Sequence, residues 1–542
     1  MQRFFGALIL LILINSCQQQ VDTSNTIDQP NILLLVADDL GYADLGCFGS
    51  DIQTPNIDAL AAAGVRFSSF HTAVMCAPTR AMLLSGNDNH IAGTGSQFVT
   101  SNAFGYERVL TNRVITIPEL LQTAGYHTYM AGKWHLGTDP EDNPYQKGFE
   151  RSYVLLPGAG NHYTNQSALG DDLSEYTEDG KPTTWNDGDY STDFYTDKLI
   201  EYIESNKDDG QPFFAFAAYT APHWPLQVDE SYSKKYEGQY NAGYDILKAQ
   251  RLNSLKESGI IDKNAVLPLN LENFKPWDSL SLEDKKFEAR KMELYAGMVD
   301  NLDHNIGRLI TYLKEIGEYE NTLIVFMSDN GAAHRDFYNN EDFAALRDYY
   351  NEDYENMGKA NSYISYGPAW AEAGSSPFRY YKDYATQGGM NTPMIISGSQ
   401  VLRNNEIHHG FVTLMDLAPT FYDMARVEYP NTFKGNKVYP LKGSSLLSFV
   451  KKEADKVHSE DYVFAHEHSE NAMVRKGHWK ITNVIKPFQM DNFELFNLST
   501  DLAEQYNVKD QYPEKYEELL QEWKRYMAEV KLQFPPPESN AD

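Results

Sequence analysis

Cysteine is scarce in this sequence, which has only Cys17, Cys47 and Cys76 among its 542 residues. A fold held together by several disulfides is therefore excluded. If Cys17 and Cys76 have the chemical roles argued below, no pair is left for an internal disulfide. The chain then depends on its apolar core and on a metal, and Cys47 is expected to be a buried structural thiol.

Positive charge is also scarce. The chain has 46 Lys and Arg against 76 Asp and Glu, a net charge of −30. Broad binding to nucleic acid or to an anionic membrane surface is therefore not expected. An anionic substrate is still allowed, because it needs only a local cluster of basic side chains. The length exceeds one ordinary core and predicts two domains.

Apolar runs long enough to span a bilayer are absent, and the longest one lies at the N-terminus. Met1–Cys17 reads as a signal peptide, in which Phe4–Ile14 is too short for a spanning helix. Its end, Leu-Ile-Asn-Ser-Cys, resembles a bacterial lipobox. We therefore expect an exported lipoprotein in the periplasm or cell envelope, attached to the membrane only by a lipid on Cys17. Residues 18–29 are expected to form a flexible tether, and an ordinary cleaved signal peptide remains the alternative.

What the sequence has is a regular alternation of short apolar strands and helices. A continuous apolar strand suits a sheet that is buried on both faces, with functional groups at the carboxyl ends of its strands. The pattern therefore predicts an α/β sheet with a site along one edge. The predicted strands are Asn31–Ala37, Val65–Phe70, Tyr126–Ala131, Phe213–Thr220, Thr322–Met327 and Pro393–Ser397, and the helices are Asn56–Ala63, Ile117–Ala124, Thr192–Ser205 and Leu294–Ile316.

The composition changes near residue 430. Three strand-like segments and a helix from Pro513 to about Val530 follow, which predicts a small antiparallel sheet with one helix. The domain boundaries expected are 30–430 for a catalytic domain and 431–542 for a small C-terminal domain. Asp300, Asp303 and His304 lie on one predicted helix, where a solvated face is favoured over metal binding.

Two pairs of oxygen donors each follow an apolar strand. They are Asp38-Asp39 and Asp329-Asn330. Hard oxygen ligands without Cys or His favour Ca²⁺ or Mg²⁺ over zinc. Carboxylates that meet at one sheet edge would repel each other without a cation between them, so a divalent cation site is predicted.

Basic and nucleophilic residues lie in short motifs near the same strand ends. Cys76 begins Cys-Ala-Pro-Thr-Arg80, and the following segment looks like the start of a helix whose amides would face an anion. Lys133 and His135 are two apart on an extended segment and point to the same side. His223 and Lys382 lie in two further motifs. Each alone is usually structural, but together they indicate catalysis.

These motifs resemble those of the formylglycine-dependent sulfatase family, in its bacterial arylsulfatase-like branch within the alkaline phosphatase superfamily. The resemblance runs from Asn31 to about Val508 and includes Gly132-Lys-Trp-His-Leu-Gly137 and Ala221-Pro-His-Trp-Pro225. It implies an alkaline-phosphatase-like large mixed sheet flanked by helices, with a small C-terminal antiparallel sheet plus helix. It also implies a maturation enzyme that reads Pro78 and Arg80 and converts Cys76 to formylglycine (3-oxoalanine).

The resemblance further implies a role for each site residue. One Ca²⁺ would be held by Asp38, Asp39, Asp329, Asn330 and the modified Cys76. The hydrated aldehyde attacks the sulfur of a sulfate monoester, while Ca²⁺, Lys133, Lys382 and Arg80 neutralise the sulfuryl oxygens. His223, with Lys382, protonates the leaving oxygen. His135 takes the proton of the second hydroxyl, which expels sulfate and restores the aldehyde.

The sequence departs from the family at two places and leaves alternatives open. Relatives commonly have Glu at the position of Gln387 and Arg near Asn391. Phosphonate monoester or phosphodiester hydrolysis is a second enzymatic interpretation, and an inactive lipid-anchored binding protein is a third. A sulfated polysaccharide or oligosaccharide is the preferred natural substrate, and small aryl or alkyl sulfates are the alternative.

Overall fold

The computed structural model describes residues 29–168, 172–185, 188–269, 274–337 and 349–539. The predicted signal peptide, Cys17 and most of the predicted tether lie outside these ranges. Within them, no helix has the length and apolar character needed to cross a bilayer.

The larger sheet has 11 strands and is mixed. Its strands are β1 (Asn31–Ala37), β2 (Gly64–His71), β3 (His127–Lys133), β4 (Arg151–Leu155), β5 (Tyr176–Glu178), β6 (Lys181–Thr183), β7 (Phe213–Ala218), β8 (Thr322–Ser328), β9 (Asn391–Gly398), β10 (Glu406–His408) and β11 (Val412–Thr413). The order is β10-β2-β9-β8-β1-β7-β3-β4-β5-β6, and β11 pairs with β2. Strands β8, β1, β7 and β3 are parallel neighbours, so their carboxyl ends meet at one edge. Strand β9 runs antiparallel between β8 and β2, which returns the end of β2 to that same edge.

Helices cover both faces of this sheet. The helices of the described residues are α1 (Pro55–Ala62), α2 (Cys76–Ser85), α3 (Asn89–Ala92), α4 (Ile117–Thr123), α5 (Ser191–Asn206), α6 (Glu230–Ser233), α7 (Tyr244–Glu257), α8 (Leu282–Glu315), α9 (Gly367–Gly374), α10 (Gln387–Met390), α11 (Leu417–Ala425), α12 (Leu447–Val450) and α13 (Pro513–Val530), of which α13 packs against the second, smaller sheet. All residues of β1 are buried. Its side chains alternate between two cores, with Leu33 and Leu35 packing towards α5 and α8. Ile32, Leu34 and Val36 pack towards α2, α4 and α11. The continuous apolar run predicted this two-sided burial correctly.

A second sheet lies near the C-terminus. It is an antiparallel meander of β14 (Val463–His468), β15 (Asn471–Lys476), β16 (Trp479–Asn483) and β17 (Glu494–Asn497), after a short hairpin of β12 (Thr432–Phe433) and β13 (Asn436–Lys437). Trp523 of α13 is fully buried among the apolar side chains of this sheet. The predicted fold class, a large mixed sheet flanked by helices with a small antiparallel sheet and helix, is confirmed. The predicted boundary between residues 430 and 431 stays a prediction.

Two minor expectations differ from the structure. Asp300 and Asp303 are buried rather than solvated. Asp303 accepts hydrogen bonds from the backbone N–H groups of Asn56 and Ile57 at the start of α1, and burial raises its pKa to about 6. Cys47 is only half-buried, although its N–H group donates to Asp58. Helical spacing alone cannot show which polar residues cap a neighbouring helix.

Candidate active site

The two predicted oxygen-donor pairs lie side by side. Ala37 pairs in register with Ser328 at the ends of β1 and β8, so the residues that follow each strand are neighbours. The N–H group of Asp39 donates to Asp329 Oδ1 at 3.0 Å, and Asn330 Nδ2 donates to Asp39 Oδ1 at 2.6 Å. Asp38, Asp39, Asp329 and Asn330 are all fully buried. Asp39 has φ 65°, the left-handed region, so its backbone turns sharply after β1. Its N–H group faces Asp329, and its carboxylate accepts from Asn330 and Lys382.

Cys76 is the first residue of α2, and its side chain faces the same carboxylates. Its Sγ lies 3.4 Å from Asp38 Oδ1 and 3.7 Å from Asp39 Oδ1. Met75, the N-cap, makes no side-chain hydrogen bond to the first amides of α2. One of them, Ala77 N–H, donates to Gln97 Oε1 at 3.4 Å. The sequence predicted a helix opening over Pro78–Ser85, and the structure has this helix, which begins two residues earlier, at Cys76.

Three cationic side chains surround this centre. Lys133 Nζ donates to both oxygens of Asp38 at 3.0 and 2.7 Å. Lys382 Nζ donates to both oxygens of Asp39 at 2.7 and 2.8 Å and lies 3.1 Å from Cys76 Sγ. Arg80 Nη1 donates to the carbonyl oxygen of Lys133, and its Nη2 donates to Asp329 Oδ2 at 3.1 Å. All three are buried, so each charge is held by a specific partner.

His223 contacts the centre through Asp39. Its Nδ1 lies 2.7 Å from the carbonyl oxygen of Trp224, and a carbonyl only accepts, so Nδ1 carries a proton. Its Nε2 lies 3.3 Å from Asp39 Oδ2. Burial lowers the pKa of His223 to about 3, aided by Lys382 and Lys133 and opposed by Asp39. The neutral ring therefore presents the lone pair of Nε2 to the site.

His135 also faces this region from the turn after β3. Its φ is 61°, which is uncommon for a residue other than glycine. Nδ1 is buried and has no hydrogen-bond partner among the described residues. Burial lowers the pKa of His135 well below its ordinary value, and Lys133, Arg80 and Lys382 lower it further. A buried neutral imidazole with a free nitrogen can accept a proton.

The donor set fits a hard divalent cation. Asn330 Oδ1 is buried without a hydrogen-bond donor among the described residues, which leaves an oxygen available as a ligand. Burial, followed by repulsion from Asp38, raises the pKa of Asp329 to about 6. Ligand atoms of Asp38, Asp39, Cys76 and His223 all lie within 4.8 Å of one another. The sequence predicted His223 as a general acid and not as a member of this cluster. The predicted ligand Asp329 is not in the cluster and instead accepts a hydrogen bond from Arg80.

Sequence reasoning missed two residues that complete the site's surroundings. Gln97 contacts the start of α2, and its own N–H group donates to His468 Nε2 at 3.2 Å. His468 belongs to β14, so this contact joins the C-terminal sheet to the helix that carries Cys76. No local pattern marks a single Gln in a loop, so only the tertiary contact identifies it.

Comparisons with known proteins identify the family of this chain. The family profile described as Sulfatase matches residues 30–427, and a second, described as N-sulphoglucosamine sulphohydrolase, C-terminal, matches residues 378–533. An uncharacterised sulfatase of Schizosaccharomyces pombe is 41% identical over 94% of this chain and 95% of its own length. An arylsulfatase of Klebsiella aerogenes is 38% identical over 77% of this chain and 91% of its own length.

A solved structure supports the same relationship. The crystal structure of Ps i-CgsB aligns with a TM-score of 0.66 and 25% identity, covering 92% of this chain and 93% of its own. The sequence and fold matches thus cover almost the whole described length. The chain belongs to the sulfatase family, and it is a sulfatase, an enzyme that hydrolyses sulfate esters.

Proposed function

We propose that the protein hydrolyses sulfate monoesters of glycans and that Cys76, converted to formylglycine by a maturation enzyme, carries the nucleophile. The observation that supports this most is the setting of Cys76. Burial raises the pKa of its thiol well above the ordinary value, although Lys133 and Lys382 oppose this. An un-ionised buried thiol is a poor nucleophile. A hydrated aldehyde in its place supplies a hydroxyl for attack on sulfur and a second hydroxyl for release of sulfate.

The side chains around Cys76 are arranged to hold the anionic group. Lys133, Lys382 and Arg80 together place three buried positive charges beside the N-terminus of α2. Hydrogen-bond donors that are already in position stabilise the charge that develops in the transition state, because they need not reorganise during the reaction. In this proposal they bind the sulfuryl oxygens of the substrate.

In this proposal, two histidines carry out the proton transfers. His135, neutral and with a free ring nitrogen, takes the proton from the second hydroxyl of the aldehyde hydrate, so that the bond to sulfate breaks and the aldehyde returns. His223 Nε2, with Lys382, delivers a proton to the leaving oxygen. The neutral form of His223 must first gain that proton, and the negative charge of a bound sulfate ester raises its pKa in the required direction.

The proposed site includes one divalent cation. We assign it as Ca²⁺ because most of the donor atoms are oxygens. Asp38, Asp39, Asp329, Asn330 and the modified residue at position 76 would hold it. When bound, it would neutralise the crowded carboxylates and polarise a sulfate oxygen. The free Oδ1 of Asn330 and the raised pKa of Asp329 support this assignment.

The shape of the surface around the site supports a glycan substrate. Two cavities share His334, Arg335 and Asp383, and Asp383 directly follows Lys382. We call the larger one, about 930 Å³ and lined by α7, α8 and α9, the helical arm. The smaller one, about 360 Å³ and lined by Phe98 and by residues of the C-terminal sheet, is the C-terminal arm. Two arms that meet beside the reacting group suit a ligand of several sugar units better than a small aryl ester.

The proposed setting of the enzyme is the cell envelope, with the chain anchored by lipid at Cys17. This part of the proposal rests on the lipobox-like segment alone. Globomycin sensitivity of processing and labelling with a fatty-acid analogue test it, and a Cys17→Ser variant should lose the label. Labelling that persists in Cys17→Ser would contradict it.

The decisive experiment for the proposed function is release of inorganic sulfate from a panel of sulfated oligosaccharides and aryl sulfates. Matched aryl phosphonate monoesters belong in the same panel. The proposal expects sulfate release from oligosaccharides to exceed both other activities in kcat/KM. Faster turnover of the phosphonate esters would replace sulfate ester hydrolysis by the second enzymatic interpretation.

A further inference from the structure

The two arms of the cleft differ in charge. In the helical arm, the carboxylates are Glu283, Asp284, Glu288, Asp336 and Asp383, and the basic residues are Lys275, Lys291 and Arg335. Lys291 is already bound to Glu288 at 2.6 Å. This arm therefore presents more negative than positive charge and is unsuited to an anionic sugar.

The C-terminal arm has the opposite balance. It contains Arg335 and Lys486 and a single carboxylate, Asp383. The Arg335 pair with Asp383 is long, 3.9 Å, and the Arg335 side chain is 35% exposed. Lys486 is exposed and has no ion-pair partner in the part of the chain that the structure describes. In a protein of net charge −30, two available cations in one small cavity beside the catalytic centre are a specific feature.

The histidines of this arm do not add to that charge. His334 stacks on Tyr381 with ring centres 4.5 Å apart, and burial lowers its pKa. Burial also lowers the pKa of His468 well below its ordinary value. Both rings are therefore neutral near pH 7, and the attraction for an anion comes from Arg335 and Lys486.

An aromatic surface completes the C-terminal arm. Phe98 is 52% exposed and its ring packs against His468, with centres 5.7 Å apart. Tyr384, on the other side, stacks on Tyr380 at 4.2 Å. An exposed aromatic ring beside cations, here that of Phe98, suits a sugar ring that carries an anionic substituent. Phe98 directly follows Gln97, which contacts the N-terminus of α2, so this surface lies close to the reacting group.

We propose that the C-terminal arm binds a second anionic group of the substrate, a sulfate or carboxylate on a sugar next to the ester that is cleaved. Arg335 and Lys486 bind this group, and Phe98 packs against its sugar ring. The substrate class is then glycans with more than one anionic group, oriented with the more highly charged side towards the C-terminal sheet. This inference rests on the proposed function, because it assumes that a glycan occupies the cleft.

Equilibrium binding measured by calorimetry tests the inference. The first ligand pair is galactan hexasaccharides with one or two sulfate groups per disaccharide, and the second is a sulfated uronate tetrasaccharide with its carboxyl-reduced counterpart. The measurements use the inactive Cys76→Ala protein, which cannot cleave these ligands, and the variants below are made in that background. This protein should bind the more anionic member of at least one pair more tightly. Arg335→Gln and Lys486→Gln should each raise Kd for that member by about threefold to tenfold and leave Kd for the less charged member nearly unchanged. If the Kd values change for the galactan pair, the second group is a sulfate. If they change for the uronate pair, it is a carboxylate.

Lys275→Gln, the same charge change in the helical arm, is the matched control and should leave the ratio of the two Kd values unchanged. An equal effect of Lys275→Gln would show that net charge alone matters, and it would overturn the inference. So would an unchanged ratio in Arg335→Gln and Lys486→Gln. Sulfate release by the wild-type enzyme from 4-nitrophenyl sulfate tests the proposed function separately, because that ester has no second anionic group.

Discussion

The ammonium group of Lys382 lies 3.1 Å from the sulfur of Cys76, although 306 positions separate the two residues in the chain. The same ammonium group binds both oxygens of Asp39. Lys382 therefore connects Cys76, the proposed nucleophile, to the carboxylates of the proposed metal site. This one contact joins the segment before β9 to the start of α2 and to the end of β1.

The state of Cys76 is the first prediction. The tryptic peptide that contains it should weigh about 18 Da less than the thiol form in active protein, because –CHO replaces –CH₂SH, with a hydrated form beside it. Peptide mass spectrometry checks this on protein made with and without a maturation enzyme. Cys76→Ala should be folded and inactive. Full activity in a preparation that contains only the thiol would contradict the mechanism.

Removal of the metal is the second prediction. Asp329→Ala should lose activity and bound calcium, and its melting temperature should no longer rise when calcium is added, since binding to the native state is what stabilises it. Asp303→Ala is a control, because Asp303 is also buried but only caps α1. It should lower the melting temperature and keep the response to calcium. Wild-type activity that survives exhaustive chelation, with the metal shown to be absent by elemental analysis, would reject the site.

The role of His223 is the third prediction. If it protonates the leaving oxygen, His223→Ala should reduce kcat/KM for esters with poor leaving groups by about 10²–10⁴-fold and affect nitrophenyl esters much less. The contact of Nε2 with Asp39 allows the opposite result to be recognised. A uniform loss across leaving groups, together with loss of bound metal, would identify His223 as a ligand instead of the acid.

Stability above neutral pH is the fourth prediction. His90 Nε2 lies 2.9 Å from Glu467 Oε2, and both groups are buried. Burial lowers the pKa of His90, but the hydrogen bond and charge of Glu467 outweigh this and raise it above the ordinary 6.5. A pKa raised by folding adds stability that is complete below about pH 6.5 and is lost as pH rises through the pKa of the folded state.

The melting temperature should therefore fall more steeply in the wild type than in Glu467→Gln as the pH rises above about 6.5. Breaking a buried pair by removing one charge costs about 3 kcal/mol. Glu467→Gln should accordingly be less stable at pH 6, with the difference narrowing at pH 9. Parallel pH profiles for the two proteins would show that the pair does not titrate in this range.

A buried polar cluster gives the fifth prediction. Gln387 Oε1 lies 3.0 Å from His71 Nε2 and 3.5 Å from Lys480 Nζ. Arg475, also buried, lies 3.2 Å from His71, and burial lowers its pKa to about 10. Within the described part of the chain, Glu504 is the only carboxylate in an ion pair with this cluster, at 2.8 Å from Lys480.

Gln387→Glu should therefore raise the melting temperature at pH 7. The new buried carboxylate would lie near Lys480 and Arg475, for which Glu504 is the nearby carboxylate in the native protein. Gln387→Met, which removes the polar group, should lower it. Thermal unfolding of the two variants decides the matter. A lower melting temperature in Gln387→Glu would mean that repulsion from Glu504 outweighs the attraction of Lys480 and Arg475.

The sequence allowed the strands and the polar groups at their ends to be predicted because buried parallel strands are continuous and apolar. Asp38, Asp39, Asp329 and Asn330 could be placed together for this reason alone. Arg80, Lys133, His135, His223 and Lys382 were selected through motifs, and the structure brings them around Cys76. Gln97, Arg335 and Lys486 could not be found in this way, because loop residues acquire neighbours only through tertiary packing. Their sequence contexts contain no period and no motif.

The origin of Lys486 has a consequence for how such enzymes diversify. It lies in the connection between β16 and β17, whereas the side chains around Cys76 come from segments that follow strands of the large sheet, from α2 and, for Lys382, from the segment before β9. Arg335 and Phe98, the other proposed contacts of the second anionic group, are encoded within the same part of the gene as the residues around Cys76. If the C-terminal arm binds that group as proposed, exchange of the β16–β17 connection alone would change the preference among glycans through Lys486 and leave the side chains around Cys76 as they are.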